Sequence, residues 1–358
     1  MKLLTKAVLS ACLSLMLAFV LVANQAQAKT YTLRVGTYEP ERLDIVQKVY
    51  LPYCKEIERR TNGKVKFKWY FAGSLVKPGQ TVKALESGLA DIVPSVAIWR
   101  NENLFPVSRV FTLPFMFESG AQVDRTYYKA VETIPAFKKE YASIKMLGYH
   151  STDFSIYAMV VPPPKTQAEM KGLKIWAGSR TLVQMTKLLG ATPRNIKLGD
   201  LYMSLQRKAI DGVAFPIAPL AAYKLTDVVN NHTVMMGPGG LIPFAMSMKT
   251  WKKLPPDIQA VFQEMIPSTS AFLGSVIDQK RADILRQLKT RGDNIYMLPA
   301  DEKARWRKTM QPIYDGWLKD MKSKGIDGQS VLNQVVKIAN EMKSTPVKPQ
   351  AWWGDWKK

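Results

Sequence analysis

From Tyr31 to Val93 the chain switches back and forth between two hydrophobic periods, and that switching narrows its folding options more than any other feature. Tyr31–Gly36 (Y-T-L-R-V-G) alternates like a strand, and Lys64–Tyr70 (K-V-K-F-K-W-Y) alternates strictly, with Val65, Phe67 and Trp69 on one face. Residues 42–60 between them carry the spacing of an amphipathic helix. Gly79–Gly88 reads as a further helix and Ala90–Val93 as a short apolar strand. Strand, helix, strand, helix, strand predicts an open α/β sheet, because each helix must cover a face of the sheet that its strands build.

The same rhythm returns downstream. Phe111–Phe117 (F-T-L-P-F-M-F) is a dense apolar loop expected to line a core, and Met146–Val161 holds two strand-like runs around a polar break at His150–Asp153. Pro162-Pro163-Pro164 makes a stiff turn before a short helix at Thr166–Lys171. A strand at Gly172–Trp176, a helix at Thr181–Gly190, a strand near Ile196, a helix at Asp200–Ala209 and a strand at Gly212–Phe215 complete the second α/β stretch. Residues 256–290 read as one long helix with Ile258, Val261, Phe262 and Ile266 inward, and 301–343 as helical again, with Trp306, Tyr314 and Trp317 on one stripe. Two such rhythms in a chain of 358 residues predict two lobes. The aromatic tail Ala351–Lys358 is expected to pack on one of them.

Lys2 and Lys6, an apolar run from Ala7 to Ala23 and Asn24-Gln25-Ala26-Gln27-Ala28 form the positive region, apolar core and A-x-A site of a secretory leader, expected to be cleaved after Ala28. The run is followed by polar residues, not by a basic stop-transfer cluster, and no second long apolar segment appears, so the expected product is an exported soluble protein. Cys12 leaves with the leader, so Cys54 is the one mature cysteine and an intramolecular disulfide is excluded. Without Lys2 and Lys6 the chain carries 49 basic and 29 acidic residues, a net charge of about +20. These charges are spread along the chain with no dense Lys/Arg block, which fits solubility and attraction to anionic surfaces and disfavours nucleic acid as a partner.

Catalytic and metal signatures are missing. His150 and His232 lie far apart with no Cys/His/Asp cluster at ligand spacing, so no metal and no cofactor is expected. There is no G-x-S-x-G, H-E-x-x-H or P-loop, and Gly237-Pro238-Gly239-Gly240 is a turn signal with no Lys and Ser/Thr behind it. His150, Ser151 and Asp153 are triad residue types, but at such close spacing they cannot fold back on one another and read as a polar loop. Binding is favoured over catalysis.

Four ordered segments carry a family resemblance. They are Phe71-Ala-Gly73-Ser74-Leu75 with Leu85-Glu-Ser-Gly88-Leu-Ala-Asp91-Ile92; Met170-Lys171-Gly172-Leu173-Lys174-Ile175 with Gly178-Ser179-Arg180 and Leu189-Gly190-Ala191-Thr192-Pro193; Asp200-Leu201-Tyr202-Met-Ser-Leu205-Gln206 with Ile210-Asp211-Gly212 and Pro216; and Trp251-Lys-Lys-Leu254-Pro255-Pro-Asp257-Ile258-Gln259. In this order and spacing the chain resembles the solute-binding proteins of TRAP transporters, the dicarboxylate-type (DctP-like) family. The resemblance implies two α/β lobes joined by crossing strands and a long lobe-spanning helix, with lobe I built from 29–152 and 243–280 and lobe II from 153–242 and 281–358. It implies a periplasmic, non-enzymatic monomer that captures a small organic solute in the inter-lobe cleft, closes by hinge motion and delivers the solute to TRAP-type membrane permease subunits. A ligand-presenting sensor on the same fold is the competing role.

The resemblance also locates a departure. The family's strand after M-K-G-L-K usually presents an arginine that pairs with a substrate carboxylate; here that position is Trp176, and the asparagine often found before the later proline is Phe215. Two pockets fit. One is an aromatic box for a cation or a flat apolar group, with Trp176 and Phe215 as walls, Tyr38, Tyr149 and Phe154 nearby, and Glu39 or Asp153 as the negative partner. The other holds an organic acid through a relocated arginine, Arg100 or Arg180, with Ser179 and Leu198 alongside. Against both stands the ordinary behaviour of a strand tryptophan, which is to pack in a core.

Overall fold

A computed structural model describes residues 29–344; the leader, with its expected cleavage site after Ala28, and the tail Ala351–Lys358 lie outside the described residues. Two sheets organise the chain. The first is five-stranded, in the order β2 (Val65–Tyr70), β1 (Tyr31–Gly36), β3 (Ile92–Val93), β10 (Phe244–Ser247), β4 (Ile144–Gly148). β1 lies parallel to β2 and β3, whereas β10 runs antiparallel between β3 and β4. The second is six-stranded, in the order β11 (Asn294–Met297), β9 (Asn231–Gly237), β5 (Ser155–Met159), β8 (Gly212–Pro216), β6 (Lys174–Ala177), β7 (Thr192–Arg194). Here β6 is parallel to β7 and β8, while β5 is antiparallel to both of its neighbours. Each sheet has its own apolar packing: Leu33, Val35, Tyr53 and Ile57 with Phe262 in the first, and Ile156, Val213, Leu201 and Leu205 with Ile284 in the second.

The chain passes from the first sheet to the second between β4 and β5, and returns between β9 and β10. These crossing segments run antiparallel, meeting at an isolated bridge between Ser151 and Leu241. Thr152 donates its backbone N–H to the Gly240 carbonyl (2.6 Å) and Ile242 donates to that of His150 (3.0 Å). A third link is the helix Pro256–Arg291, 36 residues and so about 54 Å long. Its first half buries Phe262, Met265 and Leu273 against the first sheet, and its second half buries Ile284 and Leu288 against the second.

The helical stretch expected at 301–343 is divided into Ala300–Thr309, Gln311–Ser323 and Gly328–Ser344. Pro312 enters the first turn of the middle helix, where its missing N–H costs nothing, and Gly325 with φ of 69° ends it. Trp306 packs edge-on to Tyr157 of β5 (6.1 Å), while Trp317 donates its indole N–H to the Pro106 carbonyl (3.0 Å) and Tyr314 its hydroxyl to that of Pro114 (2.6 Å). The C-terminal helices therefore touch both sheets' surroundings.

Local expectations shift in three places. The strand expected near Ile196 is instead β7, whose Pro193 is tolerated because the strand lies at the sheet edge. The helix expected at Thr166–Lys171 shrinks to one 3₁₀ turn, Ala168–Met170. Strands β9, β10 and β11 carry no clear alternation, and the helix Gly120–Thr133, whose Val123, Tyr127, Ala130 and Val131 form a buried face, is a further element that the structure adds.

The long helix crosses Gly120–Thr133 at Gly274. A Cβ there would stand 2.9 Å from the Ala121 Cα and 2.9 Å from an Asp124 carboxylate oxygen, inside van der Waals contact with backbone that cannot yield. Gly274→Ala is expected to destabilise the protein by about 1–3 kcal/mol through overpacking, read as a lowered midpoint in urea unfolding; an unchanged midpoint would show that the helices separate freely.

Candidate functional site

The parallel register of β6 and β8 pairs Trp176 with Val213, which sets Trp176 and Phe215 diagonally on one face of the second sheet. Their rings meet edge to face, centroids 5.2 Å apart at 82°, and Tyr223 continues the row at 6.4 Å from Phe215. Trp176 is half-buried, and its indole N–H is fixed by the Ile196 carbonyl at 2.9 Å. The backbone beside them must be glycine: a Cβ at Gly178 would lie 2.6 Å from the Phe215 ring. Ser179 caps the helix Arg180–Leu188, its hydroxyl accepting from the Leu182 N–H (3.3 Å), so Arg180 stands exposed at the helix start. Leu198 and Tyr202 are half-buried against the same apolar cluster as Trp176 and Phe215.

On the first lobe, Tyr38 and Glu39 follow β1 and form a polar cluster. Ser95 donates to Glu39 at 2.6 Å, Thr37 donates to its other oxygen, and the Tyr50 hydroxyl meets Ser95 at 3.1 Å. Burial raises the Glu39 carboxyl, with the Ser95 and Thr37 hydroxyls pulling it back, and burial raises the Tyr38 phenol well above its ordinary range. Arg100 is exposed, its guanidinium lying over the Trp99 ring at 4.4 Å. Trp99 also lies against the crossing segment, 3.4 Å from where a Gly240 Cβ would be. Sequence reasoning used Trp99 only as the neighbour of Arg100; its contact with the hinge turn depends on tertiary packing. The Glu102 carboxyl is raised by burial and lowered by the fields of Arg109 and Arg180, which puts the start of the second lobe's helix within electrostatic reach of the first lobe's loop.

The remaining candidates are not brought beside Trp176. Tyr149 is buried among Tyr127 and Tyr128 and donates its hydroxyl to Glu132 at 3.2 Å. Asp153 and Phe154 are buried in the first crossing segment, where Arg281 of the long helix lies 3.4 Å from an Asp153 oxygen and 5.5 Å from the centre of the Phe154 ring. Arg281 was missed by sequence reasoning. Its signal is the run Ser270, Gly274, Asp278, Arg281 at helical spacing, a polar and small stripe continuing an apolar face.

What this arrangement offers is recognition. One wall is aromatic and held rigid by neighbours, and exposed guanidinium groups stand on either lobe. Among the described residues no group of three His, Cys, Asp or Glu side chains is placed to hold a metal ion, and no helix is long and apolar enough to cross a membrane.

Comparison with known proteins agrees with this architecture. The profile of the bacterial extracellular solute-binding proteins, family 7 (DctP), matches residues 35–320. The C4-dicarboxylate-binding protein DctB of Bacillus subtilis is 25% identical over 266 residues, 72% of this chain and 74% of that protein. A TRAP solute-binding protein from Rhodoferax ferrireducens, solved with copurified benzoate, superposes with a TM-score of 0.77 at 23% identity, covering 88% of this chain and 99% of the other. A marine-metagenome TRAP solute-binding protein specific for aromatic acids, solved with 3-hydroxybenzoate, gives a TM-score of 0.77 at 22% identity, covering 88% and 100%. The two-lobed fold and the TRAP resemblance drawn from the four sequence segments are thereby borne out: the chain belongs to the DctP family of bacterial extracellular solute-binding proteins.

Proposed function

We propose that this protein captures an aromatic carboxylate in its inter-lobe cleft and hands it to a TRAP-type membrane permease. The observation that carries this reading is Trp176, rigid and edge-on to Phe215 where the family's usual arginine would stand. An indole at that position can face a planar ring, and with its one N–H given to the Ile196 carbonyl it has no donor left for a carboxylate. The acid group then falls to Arg180 or Arg100, both exposed on the lobes. The cation-binding alternative loses its anion: Glu39 is occupied by hydroxyls and pushed toward its neutral form by burial, and Asp153 faces Arg281. Benzoate and 3-hydroxybenzoate in two structural neighbours support the ring-plus-acid class.

The purified protein, stripped of ligand by partial unfolding and refolding, should be stabilised by benzoate or 3-hydroxybenzoate and not by succinate or malate. At a ligand concentration of about 100 Kd the gain is about 2.7 kcal/mol, a shift of several degrees in the thermal midpoint. Trp176→Ala should weaken that binding at least about tenfold, about 1.4 kcal/mol. Arg180→Ala should cost about 1.5–3 kcal/mol if its guanidinium holds the acid. Stabilisation by C4-dicarboxylates alone, with Trp176→Ala silent, would sink the reading. Mass spectrometry of solute released from freshly purified protein identifies the natural ligand directly.

Gly178→Ala is expected to displace the Phe215 ring and lower aromatic-acid affinity while leaving the helix cap at Ser179 intact, measured by calorimetry beside circular dichroism. Export through the leader predicts that N-terminal sequencing of periplasmic material begins at Lys29; an intact Met1 would overturn it.

A further inference from the structure

Around the first crossing segment the molecule buries more carboxylate than it can neutralise. Asp124, on the helix Gly120–Thr133, accepts from the Ser151 N–H at 2.8 Å and the Ser151 hydroxyl at 2.9 Å through one oxygen, while its other oxygen is buried without a hydrogen-bond partner. Asp153 accepts from the Phe154 N–H at 2.7 Å and is approached by Arg281 at 3.4 Å through one oxygen; its other oxygen is likewise buried and unpartnered. Arg281 is committed more closely to Asp278, at 2.8 Å. Asp278 also accepts from the backbone N–H groups of Gly120 and Ala121, each at 3.0 Å, at the start of a 14-residue helix. One guanidinium thus serves two carboxyl groups, Asp278 and Asp153, while Asp124 has no cation beside it, and the two acids with orphaned oxygens, Asp124 and Asp153, hold the backbone of the hinge.

We infer that Asp153 is a proton-operated hinge latch: protonated, it lets the first crossing segment stay packed as seen here, and ionised, it drives the segment toward arrangements in which its second oxygen reaches water. The charge count around it is complete. The long helix contributes Arg281 and Asp278, the helix Gly120–Thr133 contributes Asp124, and the segment itself contributes His150. The facing loop 111–117 and the return segment 238–243 contain no ionisable residue. His150 is fully buried and is pushed down to about 4 by burial, against the pull of backbone groups at Pro94 and Ser151, so it stays neutral and does not offset the acids. Burial pushes Asp153 up to about 7 against the opposing pull of Arg281, and burial raises Asp124 well above the carboxylate range.

The sign follows from linkage. The packed segment binds a proton on Asp153 that the opened segment, with a hydrated carboxyl near its ordinary value of about 4, gives up. Packing is therefore most secure below the ordinary carboxylate range, weakens as pH rises from about 4 to about 7, and changes no further above that. Whatever solute the cleft holds, a pH step within that range then shifts the balance between hinge states.

The test is amide hydrogen exchange of the solute-free protein between pH 5.5 and 8.5, corrected for intrinsic rates and read at Ser151 and Phe154. Protection should fall by about tenfold per pH unit up to about 7 and level off above it. In Asp153→Asn, which keeps the accepting oxygen and cannot ionise, protection should be flat. Flat protection in the wild-type protein, or an unchanged slope in Asp153→Asn that disappears in Asp124→Asn, overturns the assignment. Should Asp153→Asn fail to fold, ¹³C carboxyl NMR of the wild-type protein decides: a buried aspartate titrating near 7 supports the latch, and all aspartates titrating below 5 overturn it. The measurement involves no ligand, so it stands apart from the aromatic-acid reading.

Discussion

A chain that crosses between two sheets must pair the backbone it takes out of them. Segments 149–154 and 238–243 leave their sheets in the interior, where an unpaired N–H is costly. Two pairings come from the other segment, Thr152 with Gly240 and Ile242 with His150. The rest come from side chains: the Tyr149 N–H goes to the Ser270 hydroxyl at 2.9 Å, the Ser151 N–H to Asp124 and the Phe154 N–H to Asp153. The buried carboxylates are thus the local solution to a topological problem. Arg281, Asp278 and the close helix crossing at Gly274 then follow from having placed those acids inside.

This solution makes the hinge unlike the lobes. Within each lobe, apolar side chains from sheet and helices exclude water and define one packing. At the crossing, an apolar cluster containing Tyr149, Phe154 and Leu241 continues from one sheet to the other, and the buried acids and a single guanidinium add a polar contribution that depends on protonation. Trp99 joins lobe and hinge, with Arg100 over one side of it and the Gly240 turn against another.

The aromatic pair of the second sheet has a different origin. Parallel pairing of β6 with β8 sets Trp176 and Phe215 on one face, and the absence of a side chain at Gly178 lets the rings close up. With the indole N–H spent on the Ile196 carbonyl, the wall presents apolar edges and faces. Selectivity for a ring over a short dicarboxylate would then rest on what the wall lacks as much as on what it offers, since a carboxylate placed against it stays unpaired.

The periodicity of Tyr31–Val93 and of 172–215 was enough to establish α/β construction in two lobes, because strand and helix periods are local properties of the chain. The long helix and the inward stripe of Trp306, Tyr314 and Trp317 were legible for the same reason. β9, β10 and β11 were not legible, since their burial comes from neighbours distant in sequence and leaves no alternation to read. Nor could sequence separate the aromatic and acidic candidates. Tyr149 went to the first lobe's interior, Asp153 and Phe154 to the hinge, and only Trp176 with Phe215 became a wall. Those destinations depend on strand register, as in the pairing of Trp176 with Val213, and on which helix face meets the crossing segment, as in Asp153 with Arg281, and both are settled by contacts between residues far apart in sequence.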